Sequence, residues 1–114
     1  MMQDESWQVL NLEELTGKLK GDAVEYMEFL KTPNLSCGLY SLAAGSKDMQ
    51  APHDEDEVYL VLSGRAQFRL KGETMEVKPG SFLYVRAAVE HSFFEIQEDM
   101  TLLVLFSTSA RQFA

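Results

Sequence analysis

The chain is 114 residues long and has one cysteine, two histidines, one tryptophan and only 10 lysines and arginines against 18 aspartates and glutamates. Each scarcity excludes something. A single cysteine, Cys37, forbids an internal disulfide and fits a reducing compartment. A formal net charge of −8, with cations such as Lys18, Lys20, Arg65, Arg69 and Lys71 spaced singly among acids, argues against nucleic acid and anionic membrane partners. Both need clustered positive charge. Long hydrophobic runs are missing too. The longest, Leu102 to Phe106, is the length of a strand, far short of the roughly 18 residues of a membrane helix. The stretch Met1-Met2-Gln3-Asp4-Glu5-Ser6-Trp7 is acidic and has no apolar core of the signal-peptide kind. The expectation is a single cytoplasmic domain, with the 46% hydrophobic content of an ordinary globular protein.

What is present reads as β structure. Asn11 caps a short helix over Leu12–Thr16, with Glu14 in the capping-box position and Gly17 near its end. Such a helix is too short to stand alone. From Ala23 the pattern changes to extended runs: 23–30, 35–43, 57–62, 65–70, 73–77, 81–85, 91–96 and 101–107. Turn chemistry separates them at Thr32-Pro33-Asn34, Ala44-Gly45-Ser46, Ser63-Gly64, Lys71-Gly72, Lys78-Pro79-Gly80 and Glu98-Asp99. The two-residue turns Ser63-Gly64 and Lys71-Gly72 predict tight hairpins. Eight short strands at this spacing predict an all-β sandwich or barrel over residues 23–114, preceded by an extension over 1–22 that carries the helix. Runs 57–62, 81–85 and 101–107 are apolar on both faces, so a second copy or the N-terminal helix must cover one side. A homodimer is the simpler account.

Chemistry concentrates in the two histidines. His53 precedes the acidic run Asp54-Glu55-Asp56-Glu57, and Glu57 alone of that run leads into an unbroken apolar strand. His91 follows Pro79-Gly80 and opens a strand of its own. Gly45, His53, Glu57 and Gly64, with six residues between the last two, and then Gly72, Pro79-Gly80, Val85 and His91, together resemble the two motifs of a small single-domain cupin of the conserved-barrel type (cupin 2). The resemblance covers about residues 35–107. It implies a double-stranded β-helix, or jelly-roll barrel, and a metal site. The family's first motif carries His-x-His; here the first of those positions holds Ala51, which has no donor atom. The resemblance therefore implies three ligands, His53, Glu57 and His91, an arrangement of two imidazoles and one carboxylate that leaves metal positions open. Gln50 is a further candidate through its amide oxygen.

Strand parity places Tyr59 with Glu57, and Phe93 and Glu95 with His91. The predicted substrate pocket is thus Gln50, Tyr59, Phe93 and Glu95 around the metal ligands. Glu95, at the family's Asn position, reads either as a buried acid or as a strand-edge charge. Cys37 reads as packing, and no catalytic acid or base is singled out. The function implied is binding of a divalent ion (Fe, Mn, Zn or Ni) beside a small organic molecule. Either a metal-dependent enzyme of dioxygenase or isomerase type fits, or a non-catalytic module for a sugar or organic acid. A third reading, a degenerate barrel kept for dimerisation, predicts that large side chains such as Tyr59 and Phe93 fill the interior.

Overall fold

A computed structural model describes residues 6–48 and 54–107. The element order is α1 (Leu12–Thr16), β1 (Val24–Lys31), β2 (Leu35–Leu42), β3 (Glu57–Leu70), β4 (Glu73–Val77), β5 (Phe82–Val85) and β6 (His91–Ser107). The Asn11 side chain accepts from Glu14 N at 3.1 Å, closing the N-terminus of α1 as its sequence predicts. Leu12 and Thr16 of this helix face Leu62, Ser63 and Thr101 of β3 and β6, and Leu15 is buried. Among the described residues no helix is long and apolar enough to cross a membrane.

All pairings are antiparallel, in the order β1-β2-β6-β3-β4, with β5 also on β3. β3 and β6 are the frame. The first part of β3 pairs β5 through Glu57–Leu60, the last part pairs β4 through Ala66–Leu70, and β6 runs beside both. Shifts of register between Val61 and Gln67 bend the pair and curl the sheet round its interior. Six strands stand where eight short runs were expected. Ser63-Gly64 is no hairpin, and Glu98-Asp99 is no turn, because β3 and β6 continue through them. Gly64 has φ 91°, and a Cβ there would strike Asp99 O and lie 2.7 Å from Met100 Cα. Its glycine serves a bulge and a close backbone approach. Lys71-Gly72 does form the tight hairpin, both residues being left-handed at φ 50° and 79°.

Alternation along β3 buries Glu57, Tyr59 and Val61 and leaves Val58, Leu60 and Leu62 half-buried on the outer face. The interior is filled by Tyr40, Tyr59, Phe68, Phe93, Met100, Leu102 and their neighbours. The Phe93 ring centroid lies 4.8 Å from that of Phe68 and 5.1 Å from that of Tyr59. Burying each such ring is worth roughly 2–3 kcal/mol.

Candidate metal centre

Glu57 enters at the start of β3, where it pairs with Phe106 of β6 and Val85 of β5. The loop before it is tied down. Asp56 O accepts from Ser107 N at 3.1 Å, and Asp56 Oδ1 accepts from Ala87 N at 2.9 Å. His91 enters at the start of β6, opposite Leu70. A tight turn precedes it, with Ala88 at φ 67° and Val89 N donating to Arg86 O. That turn presents the Val89 carbonyl to the His91 ring.

His91 Nδ1 donates to Val89 O at 2.8 Å. The carbonyl can only accept, so Nδ1 carries the proton and Nε2 is left for the interior. Nε2 lies 3.1 Å from Glu57 Oε1 and 3.0 Å from the Tyr59 hydroxyl. Both acidic and imidazole side chains are only 2% exposed. Among the described residues no group other than His91 Nε2 stands ready to donate to either Glu57 oxygen. A buried carboxylate without donors is costly unless positive charge sits beside it. Two species meet that need: an imidazolium, or a cation bound between Oε1 and Nε2. Burial pulls the His91 pKa down, but the Glu57 carboxylate, the Val89 carbonyl and Asp48 raise it further, and the net direction is upward. The upward shift favours the imidazolium when no metal is bound. A carboxylate and an imidazole nitrogen 3.1 Å apart, with Nδ1 committed elsewhere, also fit a metal ion. The Nδ1 anchor to a backbone carbonyl is the outer-shell arrangement that orients a ligating imidazole.

The other expected residues divide. His53 and Gln50 lie outside the described residues. Among the described residues no three His, Cys, Asp or Glu side chains are grouped to hold a metal ion, so the structure places two of the three expected ligands together. Tyr59 is fully buried and reaches the site with its hydroxyl alone. Phe93 is core, packed edge-on against Tyr59 and tilted against Phe68. Glu95 corrects the parity argument. Its backbone is left-handed at φ 47°, which resets the alternation so that Phe93 and Ile96 point inward and Glu95 is exposed. It is a surface charge.

Sequence reasoning missed a polar group on β1 and β2. Ser36, Gly38, Tyr40 and Leu42 share the inner face of β2, and Tyr26 and Glu28 pair with Tyr40 and Gly38. Ser36 Oγ donates to Glu28 Oε2 at 2.7 Å. The Tyr26 ring lies over Gly38, where a Cβ would come 2.7 Å from Cε1. Burial pushes the Tyr26 hydroxyl up to about 12, with Glu28 and Glu57 adding to it and Ser36 opposing. Tyr40 donates to Asp48 Oδ1 at 2.6 Å, and Asp48 Oδ2 accepts from Phe93 N at 2.9 Å. The visible signal was Gly38, a glycine inside a strand where a close approach is to be expected.

Comparison with known proteins follows the same lines. A family model for the cupin domain matches residues 38–106. An uncharacterized protein of Streptomyces coelicolor is 47% identical over 96 residues, covering 84% of this chain and 91% of that one. Among solved structures, an RmlC-like cupin family protein with a double-stranded β-helix fold from Methanocaldococcus jannaschii matches at TM-score 0.68 and 16% identity, covering 79% of this chain and 86% of that one. The DMSP lyase DddQ from Ruegeria pomeroyi matches at TM-score 0.71 and 18% identity, covering 94% of this chain and 58% of the lyase.

Proposed function

The chain belongs to the cupin domain family, and from that premise we propose that its barrel holds a divalent metal ion on Glu57 and His91, completed by His53, beside a small organic molecule. The observation that carries this reading is the Glu57 carboxylate, 2% exposed and met among the described residues only by Nε2 of an imidazole whose other nitrogen is already committed. A first-row ion there would supply Lewis-acid polarisation of a bound oxygen, of use in isomerase or lyase chemistry, or redox chemistry if it were iron or manganese.

The protein's own residues have definable parts in this. Val89 O fixes the imidazole's orientation. Asp56, bonded to Ala87 and Ser107, holds the start of β3 so that Glu57 meets His91. The Tyr59 hydroxyl, held 3.0 Å from Nε2 by its buried ring, would flank a bound ion and hydrogen-bond to whatever occupies the site. The interlocked rings of Tyr59, Phe68 and Phe93, packed edge-on and tilted, close the interior against water beneath the site. Elemental analysis of protein purified without chelator should give close to one equivalent of a divalent metal, and His91→Ala should lose it. Substoichiometric metal in both would refute the reading.

A second reading, a binding barrel without turnover, is favoured by Ala51 at the first ligand position of the family motif. Fewer protein ligands mean weaker retention of the metal. Stabilisation by a metabolite in excess chelator separates the two, because a ligand specific to the native state raises its stability whether or not metal is bound.

The same premise supports a homodimer. On the outer face, Cys37, Leu105, Val58 and Tyr84 form one row across four strands, and Leu39, Leu103, Leu60 and Phe82 the next. Neither row contains a charge, and with Cys37 and Leu39 already buried within the chain their open part lies on β6, β3 and β5. Phe82 is 67% and Tyr84 57% exposed in the single chain. Two-fold pairing sets these rows against themselves and asks for no matching surface on another protein.

A further inference from the structure

A cleft of roughly 690 Å³ opens over His91. Arg69 and Lys71 line it from the end of β3 and its hairpin, and Arg86 from the loop after β5. Three of the chain's 10 cations thus meet in one depression of a protein whose net charge is −8. All three are exposed, and none makes an ion pair with a described residue. Arg65, four residues before Arg69, is by contrast flanked by Glu76 and Glu98.

The lining carries these three cations against two acids, an excess of one positive charge, and the cations are the side chains free to donate. Asp48 has both oxygens engaged, by the Tyr40 hydroxyl and by Phe93 N. Glu90 is the remaining carboxylate of the lining, and it is exposed. Arg69 is partly fixed, its guanidinium carbon standing 4.3 Å above the Phe94 ring. A guanidinium held by stacking keeps its planar donor edge available, and that edge matches the paired oxygens of a carboxylate or phosphate.

We propose that this cleft binds an oxyanion, the carboxylate or phosphate group of the small molecule that the barrel takes. Arg69 and Arg86 are its principal donors, and Lys71 adds a point charge. In naming the rest of the ligand the proposal rests on the small-molecule reading above, whereas oxyanion binding itself needs no metal. The cleft wall includes His91 with its neighbours Val89, Glu90 and Ser92, so an anion held there lies on the outer side of the residue whose Nε2 meets Glu57 within.

The test uses the full chain, treated with chelator so that failure of the metal reading does not enter. Inorganic phosphate and succinate are titrated separately at constant ionic strength, set with sodium chloride, and backbone amides are followed by two-dimensional NMR. The expected result is saturable shifts at Lys71, Gly72 and 89–92 with at least one probe. Affinity should fall by about tenfold or more in Arg69→Gln/Arg86→Gln, since two charge-assisted contacts are lost, and stay unchanged in Lys18→Gln/Lys20→Gln. The probe that binds says whether the group is phosphate or carboxylate. Absence of saturable shifts with both probes overturns the proposal. So does equal binding by the arginine double variant, which would mark an adventitious ion only.

Discussion

At the scale of residues, Glu57 and His91 form a buried pair that must hold positive charge between them, from a proton or from a metal ion. With the metal stripped, the proton has to do it. His91 then titrates above its ordinary 6.5, because the gain from Glu57, Val89 O and Asp48 outweighs the cost of burial. A raised folded-state value means that the pair's stabilisation is fully present below pH 6.5 and is lost as pH rises through the higher folded value. Chelator-treated wild type should therefore lose stability in urea melts as pH is raised above 6.5, while His91→Gln should show a flatter profile over the same range. Identical profiles would contradict the pairing. Both residues were legible in the sequence, since Glu57 ends an acidic run at an apolar strand and His91 opens another. Glu95 was misplaced, because a parity count assumes unbroken extended backbone and one left-handed residue resets it.

At the scale of elements, β3 and β6 carry the fold by bending together instead of breaking into hairpins. A glycine after a serine has the same signature in a two-residue turn as in a bulge, so Ser63-Gly64 read as the former. Which one forms is decided across the strand pair, by how closely the Asp99–Met100 backbone comes to Gly64. Gly64→Ala combines left-handed backbone with a collision against Asp99 O, and should cost about 3 kcal/mol. Gly45→Ala is the control: it shares a positive φ of 79° but has open space around its Cβ, and should cost only about 1–2 kcal/mol. Equal losses in denaturant melts would remove the close approach from the explanation. The Arg69, Lys71 and Arg86 cleft was hidden for a related reason. Single cations among acids look dispersed along the chain until the β3 hairpin and the loop after β5 bring three of them together.

At the scale of the whole molecule, a barrel with one filled interior still presents an apolar outer sheet. The two-sided strands were visible in the sequence; α1 lines one groove with Leu62, Ser63 and Thr101, and a second copy is the cover proposed for the exposed Phe82 and Tyr84. Sedimentation velocity should show a dimer for wild type and a monomer of unchanged circular dichroism for Phe82→Lys/Tyr84→Lys. A wild-type monomer at high concentration would contradict the paired face. The filling of the interior by Tyr59, Phe68 and Phe93 is the outcome that a degenerate barrel predicts, and it leaves the end where Glu57 and His91 meet as the place for any chemistry. Metal-edge anomalous scattering from a crystal grown without chelator tests that centre most directly. The account predicts a peak between Glu57 Oε1 and His91 Nε2 with His53 as third protein ligand. A water or a bare hydrogen bond between those two atoms, with no anomalous signal at any first-row edge, would contradict it.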